Sequence, residues 1–143
     1  MSSGGDNRYV VFKLNQEYYG LPIEKVISIE KIGEITRIPN APDYIKGVIN
    51  LRGEVIPVVN LKRKLNIGDN ELNMNSRIIV VNEDEMVVGL VVDFSSEVLE
   101  IDREDIDKPP ETKDNQLIEY ISGIGKTSDR LIIILDLLKI LMD

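Results

Sequence analysis

Residues 46–61 read KGVINLRGEVIPVVNL: two apolar, β-branched runs, GVINL and VIPVVNL, interrupted by Arg52-Gly53-Glu54. A short glycine-containing connection between such runs signals a β-hairpin. Arg52 then stands at a turn, with Gly53 supplying the positive φ that a tight turn demands. Pro57 has no N–H to give to a ladder, which predicts an edge strand or a bulge at that point. An arginine on a hairpin tip is either a solvated end or a contact point, because loops carry much of a protein's recognition.

Working outward, most of the chain divides into short strands. RYVVFKL (8–14) and EYYGL (17–21) form a first pair joined by Asn15-Gln16. PIEKVISIE (22–30) opens with a proline suited to one helical turn and continues as β-branched alternation. ITRIPNAPDYI is an extended proline loop, and NLKRKLNIGDNELNMN (60–75) holds a short helix and then a polar loop. SRIIVVNEDEMVVGLVVD (76–93) is another hairpin, SEVLEI another strand, Pro109-Pro110 another loop and DRLIIILDL a late strand. LDLLKILMD (135–143) has the pattern of a closing amphipathic helix.

With 143 residues, 43% hydrophobic and 29% charged, the chain is expected to be one ordinary soluble domain that buries roughly two thirds of its unfolded surface. A net charge of -8 argues against nucleic acid and anionic membranes, whose affinity rests on lysine and arginine. No run approaches the roughly 20 apolar residues of a membrane span, and residues 1–7 read as a flexible tail without a signal-peptide pattern. These features, with zero cysteines, predict a cytoplasmic protein.

The chain also lacks histidine, so imidazole bases, thiol nucleophiles and the usual zinc and haem ligand sets are missing and no cofactor is expected. Gly125-Lys126-Thr127 resembles the end of a phosphate loop, but Tyr120 stands where the earlier glycine belongs and the next segment reads as a strand. Ser28-Ile29-Glu30-Lys31 matches Ser-x-x-Lys without the accompanying Lys-Thr-Gly of serine acylases. Asp102, Glu104, Asp105 and Asp107 read as a solvated connection rather than a carboxylate pair flanking a cleft. The chain is therefore expected not to be an enzyme.

A repeat runs through it. Tyr44-Ile45-x-Gly47 and the later Asn60-Leu61 recur, at one constant offset, as Tyr120-Ile121-x-Gly123 and Asp136-Leu137. Upstream, Gly20-Leu21 with Val26 and Ile29 aligns with Gly89-Leu90, Val98 and Ile101 if three residues are inserted. Two similar β units, each small for independent stability, are expected to share a core.

YIKGVINLRGEVIPVVNL, FKLNQEYYGLPIEKV, VVGLVVDFSSEVLEI and YISGIG together resemble the chemotaxis coupling protein family, CheW, over residues 8–141. The resemblance implies an all-β fold with short helices: two five-stranded Src-homology-like barrels, lobe one spanning roughly 14–70 and lobe two roughly 76–135, around a shared hydrophobic core, with terminal segments packing across the lobes. It implies an adaptor joining chemoreceptor tips to the regulatory domain of the chemotaxis histidine kinase, a monomer in isolation that works within receptor arrays. The other readings are a regulatory module of a related two-component pathway, or a barrel binding a small ligand or nucleic acid.

Carried over residue by residue, the family's receptor groove maps to Val26, Ile29 and Val98, with Gly47, Arg52 and Gly53 nearby; for the three apolar residues, core packing is the competing reading. The family's arginine at the Arg52 position pairs with an acid whose place here is taken by Ser28, leaving Glu30 or Glu54 as substitutes. Kinase contact maps to Ser76, Arg77 and Ile78, with another contact at Thr112; Arg77 and Thr112 depart from the apolar and aromatic residues the family favours there. The mapping predicts that Val26→Glu or Val98→Glu weakens binding of a receptor-tip fragment and leaves the fold intact, measurable by titration beside a thermal melt.

Overall fold

The computed structural model describes residues 7–69, 71–111 and 116–142; the tail 1–6 and Thr112 lie outside them. The hairpin that decides the fold consists of β4 (Ile45–Leu51) and β5 (Glu54–Asn60), with Leu51 opposite Glu54. Arg52 (φ 52°) and Gly53 (φ 88°) both take positive φ, the twist of a two-residue type I′ turn. Gly53 N–H donates to Asn50 Oδ1 at 2.8 Å, which secures the loop.

Pro57 is neither on an edge nor at the bulge. β5 is an interior strand, and the register shift falls on β4 between Ile45 and Gly47. The proline is accommodated because Val48 exchanges both its main-chain bonds with Thr36 (2.8 and 2.9 Å), on the far side from β5. Val48 and Pro57 therefore form a non-hydrogen-bonded pair, and the ladder to the next strand begins only at Val58.

The opening pair is β1 (Arg8–Leu14) with β2 (Glu17–Pro22), and a 3-10 turn, Ile23–Lys25, leads into β3 (Val26–Lys31). After β5 come the short helix α1 (Leu61–Lys64), then β6 (Arg77–Glu83), β7 (Met86–Val92) and β8 (Phe94–Glu100). A second 3-10 turn, Arg103–Asp105, precedes β9 (Ile106–Asp107); β10 (Ile121–Lys126), β11 (Leu131–Leu135) and α2 (Leu137–Met142) close the chain.

These strands form two sheets, β3-β6-β7-β5-β4 and β8-β1-β2-β11-β10-β9. Five and six strands in open order replace the expected pair of five-stranded barrels: among the described residues no ladder joins β3 to β4 or β8 to β9. Each sheet is built across the boundaries 14–70 and 76–135, because the hairpin β6–β7 inserts between β3 and β5 while β1–β2 inserts between β8 and β11. The insertions are sealed by parallel ladders, Val58 beside Gly89 in one sheet and Ile134 beside Gly20 in the other.

The repeated landmarks have matching physical roles. Asn60 N–H donates to Tyr44 O (2.7 Å) and Asp136 N–H to Tyr120 O (2.8 Å). Their side chains then accept from Arg63 N–H and Lys139 N–H, both at 3.2 Å, capping α1 and α2. Ile45-x-Gly47 and Ile121-x-Gly123 mark the same register shift, beside Thr36 and Asp107 respectively. Upstream, the pairing corrects the sequence alignment. Ile29 lies opposite Ile79, which faces Leu90; Val98 lies opposite Val10, which faces Leu21. Val98 is thus the counterpart of Ile29, not of Val26, and the inserted residues fall further along the chain.

Three clusters make the core. The largest lies between the sheets, with Val10, Phe12, Leu14, Tyr19 and Leu21 from one and Val59, Ile79, Val81, Leu90 and Val92 from the other. The outward faces bury smaller sets, Ile49, Ile56, Val58, Ile78, Val80 and Val91 on one sheet and Val11, Ile101, Ile132 and Ile134 on the other. Burial on both faces is why β6 and β7 read as continuous apolar runs instead of alternating.

A Cβ at Gly47 (φ 151°) would stand 2.2 Å from Thr36 O, whereas one at Gly33 meets nothing within 4 Å. Gly47→Ala is therefore expected to cost about 3 kcal/mol in urea denaturation and Gly33→Ala close to nothing. Tyr19, buried and stacked on Phe12 with ring centroids 6.1 Å apart, has its hydroxyl pushed from 10.0 up to about 12 by burial and then by the charge of Glu17. Between those two values only the unfolded chain loses the proton, so Tyr19 contributes full stability below pH 10 and loses it as pH rises toward 12. Tyr19→Phe is expected to flatten that part of the stability profile relative to wild type.

Candidate partner-binding surface

Among the described residues the edge strands β3 and β8 each pair on one side only, and both carry exposed apolar side chains: Ile27 (52%) and Ile29 (43%) on β3, Phe94 (42%) and Val98 (49%) on β8. Side chains of directly opposed residues share a sheet face. Ile29 stands opposite Ile79, and Val98 opposite Val10, both members of the core between the sheets. Ile29 and Val98 therefore continue that inter-sheet face outward to the edge, where they remain partly open to solvent.

Val26 behaves differently. It is half-buried and packs against the inter-sheet core, and the turn that precedes it touches both β1 and β6. Val26→Glu is accordingly expected to cost stability, which corrects the expectation that the fold would be indifferent to it. The same turn is anchored by Lys25 Nζ on Glu83 Oε2 at 2.8 Å, and that hydrogen bond, working against burial, raises the lysine's pKa.

Arg52 finds its acid on β3. Its Nη2 stands 3.8 Å from Glu30 Oε2, with the arginine side chain 73% exposed. Glu30 fills the role that Ser28 leaves empty, and Ser28 Oγ is buried without a hydrogen-bond partner. An exposed pair of this kind contributes about 0–1 kcal/mol. Its geometry says more: the β4–β5 tip reaches β3, the opposite end of its own sheet, so the sheet curls until its two ends approach. Gly47 is buried under Thr36, and Gly53 is exposed beside Arg52.

The other sheet carries a counterpart that sequence reasoning missed. Arg130, at the tip between β10 and β11, pairs its Nη2 with Glu97 Oε1 on β8 and lies over the Tyr18 ring, 4.4 Å from its centroid. Burial pulls the Arg130 pKa down, but the hydrogen bond and charge of Glu97 outweigh it and the net shift is upward. Glu97 opposes Val11 as Ser28 opposes Val80, so Glu97 stands where the repeat places Ser28. Aligning Val98 with Ile29 would have exposed this equivalence.

Of the three described residues mapped to a kinase contact, Ser76 and Ile78 are each 1% exposed. Ser76 Oγ accepts from Asn73 N–H at 3.0 Å, and Ile78 belongs to an outward-face core. Arg77 alone offers its side chain, half-exposed and donating to Met74 O at 2.9 Å. Nearby Leu72 and Met74, missed in sequence, are exposed apolar residues.

The discarded catalytic patterns gain nothing from the structure. Ser28 and Lys31 share one strand at a spacing that sends their side chains to opposite faces. Asp102 accepts from Asn7 and Asp107 pairs with Lys126 at 3.3 Å. Among the described residues, no group of three or more His, Cys, Asp or Glu side chains is arranged to hold a metal. What these surfaces offer is apolar area flanked by charged pairs, the make-up of a protein interface.

Against known families, the CheW-like domain matches residues 8–143. The chemotaxis protein CheW of Klebsiella aerogenes is 39% identical over 133 residues, covering 93% of this chain and 80% of that protein. The Bacillus subtilis chemotaxis protein CheW is 36% identical over 129 residues, covering 90% and 83%. Among solved structures, the scaffolding protein TtCheW from Thermoanaerobacter tengcongensis superposes with a TM-score of 0.83 at 41% identity, covering 92% of this chain and 85% of that one.

From burial alone, Ile29→Glu and Val98→Glu are expected to lower stability by about 1 kcal/mol or less, since the new charge reaches water, while Ile78→Glu costs more than about 4 kcal/mol. Thermal melts of the three variants followed by circular dichroism check the order.

Proposed function

The chain belongs to the CheW-like domain family, and from that premise we propose that it is an adaptor coupling chemoreceptors to the chemotaxis histidine kinase. The family match over residues 8–143 carries this reading. The names of its relatives, chemotaxis proteins and a scaffolding protein, agree with a binding role rather than a catalytic one. It works in the cytoplasm, where receptor tips and kinase meet; among the described residues no helix is long and apolar enough to cross a membrane. In this reading the two curled sheets are barrel-like lobes whose last seam is held by side chains.

The receptor tip, a helical hairpin, docks by laying an apolar stripe against Ile29 and Val98 at the margin of the inter-sheet core, with Val26 beneath as support. Arg52 and Gly53 border this surface and contribute register more than affinity, because rim charges act mainly on specificity and rate. Gly47 acts indirectly by allowing the Thr36 segment to lie on β4. For the kinase regulatory domain, Arg77 with the neighbouring Leu72 and Met74 is the contact surface, held from below by Ser76 and Ile78.

The test is a titration of the labelled protein, followed by NMR, with a receptor-tip fragment and separately with a kinase regulatory domain. Shifts at Ile29 and Val98 for the first and at Arg77 and Met74 for the second are expected. Ile29→Glu should weaken tip binding by about tenfold or more without affecting the kinase domain. Binding to neither fragment at high concentration would overturn the adaptor reading.

A further inference from the structure

We infer that Arg130, Glu97 and Tyr18 form a latch that fixes the orientation of β8, making Arg130 a positioning residue for binding at Val98. The inference rests on the adaptor reading above and adds to it a cluster outside the docking surface proposed there.

Among the described residues β8 is an edge strand that pairs with β1 alone, and its ladder is interrupted by a register shift where Val11 faces Glu97 and Phe12 faces Ser95. Such an edge, interrupted by an irregularity, is held less firmly than an interior strand, with Leu99 as an apolar anchor on its outward face. Glu97 and Val98 are successive residues, so their side chains project to opposite faces. A restraint on Glu97 therefore sets the direction of Val98.

Arg130 supplies that restraint from a rigid base. Its N–H donates to Thr127 Oγ1 (3.2 Å), and its carbonyl accepts from Thr127 N–H and Oγ1 (3.0 Å each). Its side chain, 20% exposed, lies between the Tyr18 ring and Glu97, with Asp129 Oδ1 3.6 Å from Nε. Sandwiched and partly desolvated, the pair is screened less than an exposed one. The corresponding pair in the other sheet, Arg52 with Glu30, is open and stretched to 3.8 Å. The two edges are thus prepared differently: β8 is held in place before the partner arrives, whereas the exposed Arg52 side chain is held only loosely by Glu30.

The test uses the full chain with Arg130→Gln, Arg130→Lys and Glu97→Gln, and Lys126→Gln in the same hairpin as a control. Two quantities are read: methyl order of Val98 in the free protein by NMR relaxation, and affinity for a receptor-tip fragment. Arg130→Gln and Glu97→Gln are expected to lower Val98 order and weaken the tip by about fivefold, with partial recovery in Arg130→Lys and no change in Lys126→Gln. Unchanged Val98 order and affinity, even with a lowered melting temperature, would make the cluster merely structural and overturn the inference. Wild-type protein that binds no tip fragment would instead remove the adaptor reading and the binding half of this inference, while Val98 order still decides whether the latch exists. Should Arg130→Gln fail to fold, Glu97→Gln and Arg130→Lys carry the comparison.

Discussion

Two parallel strand contacts, Val58 beside Gly89 and Ile134 beside Gly20, are the constraint on which the rest of the molecule depends. Each brings a hairpin from one half of the chain into the sheet of the other half. Bulk is limited at both glycines: a Cβ at Gly89 would meet Ile78 Cγ2 of its own hairpin at 2.6 Å, and one at Gly20 would meet Ile132 Cγ2 across the parallel contact at 3.0 Å. Because hairpins are exchanged, neither half can complete its sheet alone, and the apolar faces of both sheets meet in one shared core. Folding of the two halves is thereby coupled, as expected when units this small cannot each bury a sufficient core.

Exchange leaves a seam in each sheet. Main-chain pairing ends at β3 and β4 on one side and at β8 and β9 on the other, and in both sheets an arginine at a hairpin tip reaches back to an acid on the outer strand. Long side chains can bridge a gap that a ladder cannot, at lower rigidity. That difference separates a closed barrel from these open sheets, and it leaves the outer strands with apolar residues available to a partner. Open edges ordinarily invite aggregation; here the register shifts on the β3 and β8 ladders, with charges such as Glu30, Lys31, Glu97 and Glu100 between the apolar residues, oppose indiscriminate pairing.

Much of this was legible from local chemistry. Arg52-Gly53 between β-branched runs could only be a tight turn, and Asn60-Leu61 and Asp136-Leu137 recur because a helix start needs an oxygen to cap it. Pro57 misled for an instructive reason: the rule that proline avoids interior strands concerns the N–H, and here position 57 is turned away from β4 and precedes the first pair of the ladder to β7. Ser76 and Ile78 came from family position alone, and their burial, which a positional mapping does not carry, emerged only in the fold. The upstream repeat was misregistered by three residues because Val, Ile and Ser are interchangeable in pattern and only the strand pairing distinguishes them.

The sequence by itself determined the β class, the hairpins and their turns, the duplicated landmarks, the absence of histidine and cysteine chemistry, and the family. These follow from residue identity and short-range spacing, since turns, caps and alternation act within a few positions. Tertiary structure alone decided which hairpin enters which sheet, which apolar residues are covered, and which acid each arginine meets. Those outcomes depend on contacts such as Arg130 with Glu97 and Lys62 with Asp93, between residues far apart in the chain. A charge pair or an edge strand has no local signature; it exists only once packing has brought its members together.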